Sequence, residues 1–173
     1  MTNKIPFPRA YWVIPEKFLA GGYPGSKSRD LSGFFDANIS QIINLMEPNE
    51  QDRSRRTFPE YASNLYTRAK ALNHRIKISR KPIPFGGVPS LETMKWILGK
   101  LDMVIHRDRL VYLHSREGLG RVGLVVGCYL VRHGMTGEEA LERLDVLRRA
   151  DPHGRLPSPK TEAQRKMVLN WRG

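Results

Sequence analysis

VYLHSREGLGRVG (111–123) is the stretch that decides the fold. It continues a short apolar run, LVYLH (110–114), whose length and composition suit a buried central strand. A glycine-containing loop, Ser115 to Arg121, follows at once, and an apolar helix is expected over 122–133, closed by Gly134. A strand that feeds such a loop and then a helix N-terminus aims several backbone amides at one point, which makes an anion site. Gly118 and Gly120 let the backbone curl where a side chain would clash. Arg121 can return its guanidinium fork to the same point and grip two oxygens. Phosphate fits that cradle in charge and in geometry.

IINLM (42–46) reads as a second buried strand, and 11–23 (YWVIPEKFLAGGY) as two short strands broken at Pro15. Ile76 and Ile78 alternate with Lys77 and Ser79, which predicts another strand within 75–83. Helices are expected over 29–38, capped by Ser28, and over 60–73. A longer one begins at Leu91 behind the N-cap Ser90, with Leu91, Met94, Ile97, Leu98 and Leu101 at helical spacing. Residues 47–59 (EPNEQDRSRRTFP) read as an exposed loop and 84–89 (PFGGVP) as a Gly/Pro loop. Thr136 and Glu139 form a capping box that opens a further helix. Pro159, after Ser158, is expected to start the last one. Strands alternating with helices predict an α/β sheet covered by helices on both faces, as one domain over 1–173.

A chain of 173 residues suits one domain with a sizeable core. The single cysteine, Cys128, excludes an internal disulfide framework and suggests a reducing, cytoplasmic setting; two turns into an apolar helix, it reads as a core residue. No stretch approaches the roughly 18–20 apolar residues of a membrane span, and the first residues carry no apolar signal core. The net charge of +12 favours anionic partners: phosphorylated proteins, small phosphorylated ligands or nucleic acid. No interleaved aromatic and basic pattern supports nucleic acid, and Trp12, Trp96 and Trp171 read as packing residues. No His/Cys cluster has metal-ligand spacing, and no cofactor is expected.

His114-Ser115, five residues, then Arg121 resembles the His-Cys-x5-Arg signature of protein tyrosine and dual-specificity phosphatases, in particular the small bacterial type. The resemblance extends through AYWVIPEKFLAGGYPG (10–25), VPS (88–90), VVGCYLVRHGMTGEEAL (125–141) and RLPSPKTEAQR (155–165). It implies a dual-specificity-phosphatase-like fold with residues 115–121 (Ser115, Arg116, Glu117, Gly118, Leu119, Gly120, Arg121) around a phosphoryl group. In that family a cysteine thiolate attacks phosphorus, the arginine stabilises the transition state, and an aspartate protonates the leaving group. It also implies a position near the site for Gln164. His114 is expected to be a buried, hydrogen-bonded residue that shapes the loop, facing away from Ser115.

The chain departs from the pattern at each chemical step. Ser115 stands where the nucleophilic cysteine is expected, and a hydroxyl is a weak nucleophile without an adjacent base. Aligning VPS (88–90) with the acid loop puts Phe85 at the aspartate position, so PIPFGGVPS (82–90) holds no carboxylate. Val122 replaces a hydroxyl residue, and Arg116 and Glu117 stand where Trp and Gly are common. These departures favour a pseudophosphatase that binds phosphate without hydrolysing it. Two other readings stand beside it: an active phosphatase carrying an engineered serine at 115, and a basic module that binds nucleic acid or an acidic partner. The basic residues Arg53, Arg55 and Arg56, with Lys77, Arg80 and Lys81, are expected either to flank the cradle or to form a solvated face.

Overall fold

A computed structural model describes residues 5–149 and 154–173. Residues 1–4, read above for a signal core, lie outside them. Five strands form one sheet: β1 (Ala10–Ile14), β2 (Phe18–Gly21), β3 (Ile39–Asn44), β4 (Lys77–Arg80) and β5 (Leu110–His114). Their order is β1-β2-β5-β3-β4, with β1 antiparallel to β2 and the other pairs parallel. LVYLH is therefore the central strand, and it is buried along its whole length because both sheet faces are covered.

The period-two alternation of β5 sorts its side chains between two cores. Val111 and Leu113 join Phe18, Ala20 and Ile43 beneath α3 (Leu91–His106), α4 (Gly120–Arg132), α5 (Gly137–Leu147) and α6 (Glu162–Leu169). Leu110 and Tyr112 join Leu19 and Ile42 beneath α1 (Ser28–Asp36) and α2 (Ala62–Ala71) on the other face. Two of the helix caps read from the sequence are present: the Ser90 hydroxyl accepts from the Thr93 amide, and Thr136 and Glu139 close a reciprocal box. Cys128 is buried in the larger core, and burial pushes its thiol up to about 12.

The caps of α1 and α6 differ from the sequence reading. The N-cap of α1 is Lys27, whose amide donates to the Asp30 carboxylate, so Ser28 already lies in the helix. The last helix begins at Glu162, because Thr161 and Gln164 supply a capping box three residues beyond Ser158. Ser158 turns inward and donates to the Leu119 carbonyl at 2.7 Å, which ties this segment to the signature loop. Of the three tryptophans, Trp171 is buried, Trp12 partly so, and Trp96 is exposed beneath the Lys81 ammonium rather than packed.

Candidate active site

The C-terminal ends of the parallel strands β2, β5, β3 and β4 meet on one edge, with Gly21 and Asn44 both level with His114. Ligands of open α/β sheets bind at such an edge. The loop Ser115–Leu119 leaves β5 there and runs into α4. Gly118 has φ +74, and a Cβ on it would lie 2.5 Å from the Gly21 carbonyl carbon, so only glycine lets the loop curl against β2. The Tyr23 amide fastens the loop by donating to the Arg116 carbonyl at 3.1 Å.

The first amide of the loop is not available to the cradle. The Ser115 N–H donates to the Gly21 carbonyl at 3.3 Å, since the loop's first residue still extends the β2–β5 ladder. The amides of 116–121 donate to no protein acceptor among the described residues. They include the first amides of α4, whose dipole favours an anion.

Arg121 is 3% exposed and its guanidinium meets Glu50 in a bidentate pair, with Nη1 and Nη2 each 2.7 Å from a carboxylate oxygen. Nη1 also donates to the carbonyls of Leu45 and Ile83. Of the five N–H donors of an arginine, Nε–H and one proton of Nη2 have no acceptor among the described residues, and they form one edge of the fork. Glu50 belongs to the 47–59 segment read as an exposed loop, yet its side chain is buried. Removing one partner of a buried pair strands the other charge. Glu50→Ala is expected to destabilise the protein by about 3 kcal/mol, the low end for such pairs because Arg121 borders an open cleft. Urea unfolding of the two proteins measures it, and an unchanged midpoint would count against the pairing.

The cleft over Ser115 measures about 280 Å³ and is walled by Phe85, Glu117, Gly120, Arg121, Lys160 and Gln164. Gln164 is fully buried: its Nε2 donates to the Gly87 carbonyl at 2.9 Å and its Oε1 accepts from the Thr161 amide. The site position suggested for it is thus a wall position that ties α6 to the 84–89 loop. Phe85 is more than half exposed at the mouth, with the Arg121 and Arg116 guanidinium carbons 5.6 and 5.4 Å from its ring centre. The side chains of Arg116 and Leu119 do not line this cleft.

Glu117 turns to Lys160 at 2.6 Å, with Arg53 3.9 Å away. Burial raises its pKa, but the Lys160 contact and the charges of Arg116 and Arg53 outweigh that and leave it below the ordinary carboxylate value. Of the other basic residues, Arg56 is tied to Asp52, and Arg80 to Glu60 at 2.6 Å. Among the described residues no group of three or more His, Cys, Asp and Glu is gathered to hold a metal.

His114 lies on the face opposite Ser115, as strand alternation requires. It is fully buried, and its Nε2 is 2.7 Å from the Tyr61 hydroxyl. Burial, helped by the charges of Arg80 and Arg121, lowers its pKa from 6.5 to about 3. Between those values an unfolded chain takes up a proton that the folded chain refuses, so stability falls as pH falls below about 6.5. The loss attributable to His114 is about 2 kcal/mol at pH 5 relative to pH 7. Urea titrations at both pH values should show a smaller difference for His114→Gln than for the unmodified protein; equal differences would sink this assignment.

A buried central strand, a loop closed by an inward arginine, and an amide cradle at the sheet edge define the dual-specificity and tyrosine phosphatase class. Residues 22–135 match the Tc-R-P family, described as "Polymorphic toxin system, DSP-PTPase phosphatase", and the chain belongs to that family. It is 28% identical over 138 residues to mouse dual specificity protein phosphatase CDC14B, covering 79% of this chain but 27% of that protein. The chain thus spans about a quarter of the length of that relative. Among solved structures, Tk-PTP in its active form superposes with a TM-score of 0.71 at 23% identity, over 94% of each chain. A kinase associated phosphatase whose catalytic-site cysteine is substituted by serine gives 0.70 at 24% identity, over 87% of this chain and 83% of that one.

Proposed function

We propose that this chain is a phosphate-binding pseudophosphatase, which holds a phosphorylated protein or small phosphorylated ligand in the 115–121 cradle without turning it over. The observation that carries the reading is the isolation of the Ser115 hydroxyl. It is buried at the foot of the cleft, and among the described residues no base is hydrogen-bonded to it. The adjacent histidine is engaged with Tyr61 on the far face. The wall where an acid is expected presents Phe85, and the carboxylate lining the cleft, Glu117, is occupied by Lys160. Binding does not need the missing groups, since the loop amides and the free edge of Arg121 remain.

The test pairs two measurements on the unmodified chain. Turnover of p-nitrophenyl phosphate should stay at background while calorimetry detects a phosphotyrosine peptide. Hydrolysis that Ser115→Ala stops would refute the pseudophosphatase reading, and absence of peptide binding would refute the binding half.

A further inference from the structure

A second cleft, of about 400 Å³, adjoins the first, and the two share the Glu117–Lys160 pair as a common wall. Four cations line it: Arg9, Arg53, Arg116 and Lys160. Its carboxylates are already engaged. Asp52 accepts from the amides of Ser54 and Arg56 and pairs with the Arg56 guanidinium, and Glu117 pairs with Lys160. Arg9 and Arg116 have no carboxylate partner and donate from their side chains to no acceptor among the described residues.

Both unpaired guanidinium groups are built into place. Arg9 adopts φ 62, and its carbonyl accepts from the Gly22 amide at 3.2 Å. A Cβ on Gly22 would lie 3.3 Å from the Arg9 guanidinium carbon and 3.4 Å from the Glu117 carbonyl oxygen. Gly22 therefore leaves the space in which Arg9 reaches the signature loop. Arg116 lies between two rings, its guanidinium carbon 5.8 Å from the centre of Phe58 and 5.4 Å from that of Phe85. Stacking of this kind leaves the planar fork's edge donors free. Phe58 is covered by Arg116 on one side and by Tyr23 at 5.0 Å, so it offers no bare platform for a nucleobase.

We propose that this second cleft is a phosphate subsite, which receives another phosphate group of the ligand whose first phosphate lies in the 115–121 cradle. The chain thereby prefers doubly phosphorylated ligands. This rests on the cradle reading above and adds to it a ligand class. Charge-assisted contacts from two arginine forks suit a dianion better than a single carboxylate.

Calorimetry on the full chain tests it with two probe sets. One is a phosphotyrosine peptide, alone and with a phosphoserine two, three or four residues on. The other is inositol monophosphate against inositol bisphosphate. The doubly phosphorylated member of at least one set should bind about tenfold or more tightly than its singly phosphorylated partner. An Arg9→Gln, Arg53→Gln variant should reduce that preference to about twofold or less while leaving the singly phosphorylated affinity unchanged. Arg53→Glu, at an exposed position, should reduce it too and serves if the Arg9 change unfolds the chain. Which set shows the preference identifies the source of the phosphate pair. No preference in either set, with single-phosphate binding still dependent on Arg121, would overturn the second subsite alone. Single-phosphate binding that ignores Arg121 would overturn the cradle reading and this inference with it.

Discussion

An Arg121→Ala variant is expected to bind a phosphotyrosine peptide about a hundredfold more weakly than the unmodified chain. The free edge of the fork, Nε–H and one Nη2 proton, offers parallel donors to two phosphate oxygens. Charged hydrogen bonds contribute about 1.5–3 kcal/mol each, so a bidentate contact alone accounts for a loss of that order. A second effect acts in the same direction. Truncation leaves the Glu50 carboxylate, which now accepts from Nη1 and Nη2 at 2.7 Å each, without its cation beside the cradle. An unpaired carboxylate there repels an incoming dianion. Arg121→Lys should fall between the two, because an ammonium keeps the charge but not the fork. Calorimetric titration of the three proteins measures the series. Equal affinity for Arg121→Ala and the unmodified chain would show that phosphate binds elsewhere.

What the sequence made legible is local. LVYLH announced itself by length and apolarity, Ser90 and Thr136 by hydrogen bonds that close within three residues, and the Ser115–Arg121 loop by glycines between a strand and a helix. The side-chain alternation of β5 was enough to turn His114 away from Ser115. Glu50 was not legible, because its partner is 71 residues away and nothing in EPNEQDRSRRTFP marks one carboxylate as buried. The Ser115 amide turns out to be spent on the Gly21 carbonyl, because the β2–β5 ladder runs one residue beyond the apolar run, a pairing between strands far apart in sequence. The start of α6 was misplaced because proline placement competed with the Thr161–Gln164 capping box, and the box satisfies two backbone donors where proline satisfies none. Arg9 was passed over for a related reason: its role depends on the space left by Gly22, which appears only when β1 and the signature loop are brought together.

Restoring chemistry should require two positions at once, and this is the largest effect expected. Ser115→Cys alone puts a thiol where loop amides and the start of α4 stabilise its thiolate, so a nucleophile becomes available near neutral pH. Its product would still leave without a proton, because Phe85 cannot supply one. The Phe85 ring stands at the mouth of the cleft whose foot is Ser115, and its backbone is held by an amide contact with the Glu47 carboxylate at 3.3 Å. An aspartate at 85 would thus project from an anchored loop toward the leaving group. Neighbouring Arg116 and Arg121 oppose its action as an acid, since nearby cations favour the carboxylate form. General acid help is worth about 10²–10⁴-fold, and those cations place the gain toward the lower end. The Ser115→Cys, Phe85→Asp protein should therefore hydrolyse p-nitrophenyl phosphate at a rate below Ser115→Cys times 10⁴ but about a hundredfold above it. The advantage should shrink as pH rises and the aspartic acid ionises. Phe85→Asp alone should stay at background, because an acid without a nucleophile has no leaving group to protonate. A double variant no faster than Ser115→Cys would remove Phe85 from the general-acid position. A Ser115→Cys protein already as fast as the double variant would mean that leaving-group protonation does not depend on position 85.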